Sequence, residues 1–138
     1  MTVEERLQRL EDFEAIRALI AEYRRALDEK DFEAYADLFG DDGEFIADGG
    51  VHARGREEIL AMLADLQSKG ALTVAADDDR HLVANTEIRL DGDRATASST
   101  WVYLTRADGL AMVGRYADTL RRTSDGWRFA RREAPRDI

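Results

Sequence analysis

The stretch Tyr23-Arg24-Arg25-Ala26-Leu27-Asp28 ends a long helical pattern and sets how the rest of the chain is read. Upstream, Leu7, Leu10, Phe13, Ile16, Ile20, Tyr23 and Leu27 recur at steps of three or four, one face of an α-helix over Val3 to Leu27. Glu4, Glu5, Glu11 and Asp12 occupy the end where the helix macrodipole favours negative charge. The first two turns are expected to run beyond the main core, so Leu7 and Leu10 need a partner surface such as a second subunit. Asp28 lies 18 residues after Leu10, five turns at about 3.6 residues each, which points it along the flank of the apolar face.

Downstream, Asp31 reads as the N-cap of a short helix, Phe32 to Phe39, so Asp28 has no capping job of its own. Gly40-Asp41-Asp42-Gly43 is a turn, and Glu44 to Ala47 pairs with the segment around Val51 through Asp48-Gly49-Gly50. A second amphipathic helix, Arg56 to Ser68, buries Ile59, Leu60, Leu63 and Leu66 and stops at Lys69-Gly70. From Leu72 the period changes to two. Strands are expected at His81–Leu90, Arg94–Thr105, Leu110–Thr123 and Gly126–Ala134, joined by Asp91-Gly92-Asp93, Ala107-Asp108-Gly109 and Ser124-Asp125-Gly126. Helices followed by an antiparallel meander make an α+β fold, with the helices on one side of a twisted sheet.

The chain of 138 residues fits one domain, residues 1–138, with 44% hydrophobic and 36% charged residues. The absence of cysteine excludes disulfides, thiolate nucleophiles and cysteine-ligated metals. Residues 1–9 are charged without an apolar h-region, and no run is long enough to span a bilayer, so a cytoplasmic location is the default expectation, with no membrane partner. A net charge of −9 repels nucleic acid. The one local patch, Arg121, Arg122, Arg128, Arg131, Arg132 and Arg136, reads as the solvated outer face of two strands. His52 and His81 lack metal-ligand spacing, Asp77-Asp78-Asp79 reads as a solvated loop, and neither a metal nor a cofactor is expected. His52 is expected to be exposed and unpartnered.

Several ordered motifs carry a resemblance: Tyr23-x4-Asp28, Asp31-Phe32-x2-Tyr35-x2-Leu38-Phe39, His81-x3-Asn85, Gly114-x-Tyr116-x-Asp118 and Gly126-Trp127-Arg128-Phe129-x2-Arg132. Together they resemble the SnoaL-like branch of the nuclear transport factor 2-like superfamily, over nearly the whole chain. The resemblance implies a cone in which a strongly curved, mostly antiparallel sheet wraps the N-terminal helices around an apolar pocket. It also implies a homodimer. Scytalone dehydratase, bile acid 7α-dehydratase, ketosteroid isomerase, limonene epoxide hydrolase, a dehydrochlorinase, polyketide cyclases and non-catalytic proteins share that cone, so function rests on the site.

By motif, Asp28 and His81 resemble the dyad of the dehydratases and the dehydrochlorinase, and Tyr23 stands where those enzymes place a tyrosine or lysine. Arg132 matches an arginine of the dehydrochlorinase, and Arg136 lies nearer one of the bile acid dehydratase. Ketosteroid isomerase and limonene epoxide hydrolase lack this histidine, which argues against their chemistry. Where the bile acid dehydratase has a second acid, this chain offers Thr105. Histidine's ordinary pKa, about 6.5, lets it act as a base and then an acid near neutral pH. A carboxylate on one ring nitrogen fixes its tautomer. Trp101, Tyr103 and Tyr116, alternating with small residues such as Ser99 and Ala117, would wall a pocket for a flat ligand, with Arg132 as an oxygen contact. The expected function is a cofactor-independent lyase of the dehydratase type, or a related isomerase or cyclase, acting on a small hydrophobic cyclic molecule. The alternatives are a non-catalytic ligand-binding cone and an accessory subunit of a larger enzyme.

Overall fold

The computed structural model describes residues 1–71 and 79–137, so Leu72, Asp77 and Asp78 lie outside the described residues. Its elements are α1 (Val3–Asp28), α2 (Phe32–Asp37), β1 (Glu44–Ala47), β2 (Val51–Arg54), α3 (Gly55–Ser68), β3 (Arg80–Asp91), β4 (Arg94–Thr105), β5 (Gly109–Thr123) and β6 (Gly126–Ala134).

Helix α1 starts on a capping box: Glu5 N–H donates to the Thr2 hydroxyl at 3.1 Å, and Thr2 N–H donates to the Glu5 carboxylate at 3.0 Å. Its buried face is Ile16, Leu19, Ile20, Tyr23, Ala26 and Leu27, while Leu7 and Leu10 stay 52% and 64% exposed. Lys30 ends the helix in the left-handed region (φ 59°), and the amides of Lys30 and Asp31 bond back to Leu27 and Ala26 at 3.2 and 2.8 Å. Backbone alone therefore closes the helix, and the Asp28 side chain faces sideways, toward β3. Asp31 caps α2 by accepting from Ala34 N–H.

The six strands form one open sheet in the order β2-β1-β6-β5-β4-β3. All neighbours are antiparallel except β1 and β6, which pair in parallel. This pairing attaches the N-terminal hairpin to the meander, a join that turn chemistry between neighbouring segments does not foretell. Register shifts interrupt β3 at Asn85-Thr86, β5 at Ala111 and β6 at Ala130. Each extra residue bends its strand, and three bends curl the sheet around the helices. Asn85 supports the first with a left-handed φ of 55°, and Thr86 and Ser99 hydroxyls meet beside it at 3.1 Å.

The floor of the cone is an aromatic cluster. Tyr35 stacks on Phe39 (ring centroids 5.5 Å apart) and Phe39 meets Phe129 at 5.2 Å. Burying each such ring contributes about 1.5–3 kcal/mol relative to exposure. The N-terminal half of α1 is pinned separately. Asp12, 6% exposed, accepts both Arg122 guanidinium bonds at 2.8 Å and the Trp127 indole N–H at 3.1 Å. No helix among the described residues is long and apolar enough to cross a membrane.

Candidate active site

The last turn of α1 delivers Asp28 to the start of β3. Its side chain is 5% exposed, and His81 Nδ1 lies 2.7 Å from Oδ1. His81 backbone N–H donates to both Asp28 oxygens at 3.1 Å. One carboxylate therefore fixes the residue's backbone and its ring at once. With Nδ1–H donated to Asp28, Nε2 is the ring nitrogen left for a proton transfer. Burial pushes the Asp28 carboxyl up, but the His81 ring and backbone bonds outweigh it and hold it below the ordinary carboxylate range. Arg24, one turn earlier, adds a 3.3 Å contact.

The His81 ring meets two aromatic residues of β4. Tyr103, its register partner, stacks at 4.8 Å and 25°, and Trp101 sits at 6.0 Å. Tyr103 hydroxyl donates to Asp79, which is only 8% exposed. This corrects the reading of Asp79 as part of a solvated loop. The period of two running back from His81 turns Asp79 inward, and that parity was the signal the acidic run concealed.

His81 opens into a cavity of about 430 Å³ whose apolar wall includes Leu27, Phe45, Leu63, Leu66, Trp101 and Met112. Gly114 permits that wall: a Cβ there would lie 2.3 Å from the Trp101 ring and 2.5 Å from the Pro135 carbonyl. Tyr23, Tyr35 and Tyr116 also line the cavity. The Tyr23 and Tyr35 hydroxyls are 2.9 Å apart, and the Tyr23 and Tyr116 rings meet edge to face at 5.5 Å. Burial drives all three phenols upward, so they stay protonated and remain donors. Tyr35 was not singled out as a site residue in the sequence, although its place on the inner face of α2 follows from the four-residue step to Phe39.

The structure thus brings His81, Tyr23, Trp101 and Tyr116 to one cavity, with Asp28 directly behind His81. Two expected contacts are placed elsewhere. Tyr103 backs His81 and is not part of the cavity wall. Arg132, expected to contact a ligand, is fully buried and bonded through Nε and Nη2 to Asp118 at 2.7 and 3.0 Å. The bulge at Ala130 shifts the alternation so that Phe129 and Arg132 both face inward, which takes Arg132 off the solvated outer face expected for it, and Asp118 with the Tyr23 and Tyr116 rings then holds its guanidinium out of the cavity wall. Arg136 does reach the cavity rim, where its backbone N–H donates to Asp48 at 2.8 Å.

The remaining arginines of the suspected patch are dispersed. Arg121 pairs with Asp42, Arg122 with Asp12 and Asp93, and Arg131 with Glu133. His52 is exposed as expected but has a partner, Glu44, at 3.2 Å across the β1–β2 hairpin. Thr105 accepts from Asp108 N–H in the β4–β5 turn. Among the described residues, no group of three or more His, Asp or Glu is gathered around a point that could hold a metal.

No curated protein sequence matches the chain. Solved structures do. A nuclear transport factor 2-like protein with a cystatin-like fold from Novosphingobium aromaticivorans is 37% identical, with 98% of this chain and 88% of that one covered and a TM-score of 0.86. A candidate scytalone dehydratase from the same organism is 25% identical, covering 94% of this chain and 87% of its own, at a TM-score of 0.78. ActVI-ORFA from Streptomyces coelicolor is 26% identical over 91% of this chain and 97% of its own, at 0.76. The family model of the SnoaL-like domain matches residues 8–133. With that match across nearly its whole length, on the cone that its three bulged strands build, the chain belongs to the SnoaL-like domain family.

Proposed function

We propose that this protein is a cofactor-independent lyase, removing water by β-elimination from a small hydrophobic cyclic substrate, or a related isomerase or cyclase that begins with the same proton abstraction. The observation that carries the reading is the 2.7 Å bond from His81 Nδ1 to Asp28, on a histidine that lines the apolar cavity. Membership of the family and likeness to a candidate scytalone dehydratase support it.

In the elimination, His81 Nε2 takes a proton from a carbon next to an electron-withdrawing group. The C–H electrons form the new double bond, the neighbouring C–O bond breaks, and the departing hydroxide leaves as water with a proton from the imidazolium. Asp28 stabilises that imidazolium and keeps its ring in place. The Tyr23 hydroxyl, paired with Tyr35, donates to the activating oxygen or to the leaving group. The apolar wall excludes bulk water, which strengthens each of these interactions.

The test is a thermal-shift screen of cyclic β-hydroxy ketones and related rings, on wild type and His81→Ala, followed by mass spectrometry of each hit for loss of water. The reading expects binding by both proteins and turnover by wild type alone. Ligands that bind both proteins and are never converted would assign the cavity to a carrier.

A further inference from the structure

Arg132 is the most completely enclosed charged residue among the described residues, and the elimination above makes no use of it. Its Nε and Nη2 are taken by Asp118, while Nη1 is buried with no hydrogen-bond partner. The guanidinium carbon lies 3.6 Å from the Tyr116 ring centroid, 4.3 Å from Tyr23 and 4.5 Å from Phe129. Two of those rings, Tyr23 and Tyr116, form cavity wall. The pair is therefore a fixed dipole whose cation lies against two phenol rings of the cavity wall. In a water-free interior such a charge is weakly screened, and its field reaches through one ring thickness into the cavity. Burial pushes the Tyr23 and Tyr116 phenols up, Asp118 adds to that push, and Arg132 is the cation that opposes it.

We propose that the Arg132–Asp118 pair acts as an electrostatic element behind the cavity's phenols: the guanidinium against the Tyr23 and Tyr116 rings biases the wall toward a ligand carrying a negatively charged oxygen, such as a phenolate or enolate. Arg132 acts through the tyrosines and does not itself touch the ligand. The proposal rests on the cavity being the ligand site, and not on His81 or on turnover.

The test compares two probes of one shape by isothermal titration: 3,4-dinitrophenolate at mildly alkaline pH, and neutral 3,4-dinitroaniline. The readout is the ratio of their dissociation constants. Wild type is expected to favour the phenolate. Replacing the pair by apolar groups, Arg132→Met with Asp118→Leu, removes charge while keeping volume, a change buried ion pairs often tolerate. It should cut that preference roughly tenfold, the scale of one charge-assisted hydrogen bond, with aniline binding unchanged. Asp118→Asn keeps the cation and deletes its countercharge, so the preference should rise. The opposite signs separate a field from a scaffold, and where the double variant does not fold the rise in Asp118→Asn is read alone. Equal weakening of both probes, an unchanged ratio, a fall in Asp118→Asn, or no phenolate preference in wild type would each overturn the proposal.

Discussion

Asp12 gives the sharpest stability prediction because its environment fixes both size and sign. Its carboxylate, 9% exposed, accepts from Arg122 and Trp127 across the molecule. The Arg122 bonds, opposed by burial and helped by Trp127 and Gln8, hold it down from 3.8 to about 2. The drop from 3.8 to about 2, somewhat under two pKa units at 1.36 kcal/mol each, corresponds to about 2 kcal/mol. A group depressed on folding stabilises the protein above its unfolded pKa, and that stability is lost as pH falls through the unfolded value toward the folded one. Asp12→Asn should therefore lower stability at pH 7 by about 2 kcal/mol, or roughly 6–10 °C in Tm for a chain of this size. The gap to wild type should narrow as pH drops below about 4. Calorimetry of both proteins across that range reads it directly. A gap of equal size at pH 7 and pH 3, or no gap at all, would refute the view that α1 is pinned electrostatically.

Three other perturbations probe different parts of the cone. Gly114→Ala sets a methyl against the Trp101 ring and should cost about 1–3 kcal/mol while shrinking the cavity, seen as lower Tm and weaker binding of the largest ligands. Tyr35→Phe removes the partner of the Tyr23 hydroxyl; it should cost roughly 1 kcal/mol and weaken a carbonyl ligand about three- to tenfold, leaving its hydrocarbon analogue unchanged in competition titrations. Leu7 and Leu10 are expected to be covered by a second copy, so Leu7→Glu with Leu10→Glu should turn a dimer into a monomer by light scattering, and a monomeric wild type would contradict that.

Local periodicity carried much of the fold. The α1 stripe, the Asp31 cap, the Gly49-Gly50 hairpin and the Asp-Gly turns are each set by residues within a few positions of one another. The same helical arithmetic aimed Asp28 correctly, and the strand start at His81 supplied its partner. What stayed hidden depends on events the local pattern does not encode. The Ala130 bulge reverses the parity that would have placed Arg132 outside. Asp12 is buried by partners more than a hundred positions away, so the local pattern placed it only with the acids that suit the helix macrodipole. Asp79 was concealed within an acidic run whose last member is met by the Tyr103 hydroxyl. The parallel join of β1 to β6 links segments separated by most of the chain.

The most direct measurement is the rate of water loss from a cyclic substrate identified by the screen, compared between wild type, His81→Ala and Asp28→Asn under saturating conditions. His81→Ala should fall to the buffer rate. Asp28→Asn should keep the fold and binding but lose roughly 10²- to 10⁴-fold in kcat, because the ring loses its fixed tautomer and the imidazolium its counter-charge. Turnover by His81→Ala at the wild-type rate, or an Asp28→Asn variant with unchanged kcat, would contradict the assignment of the dyad.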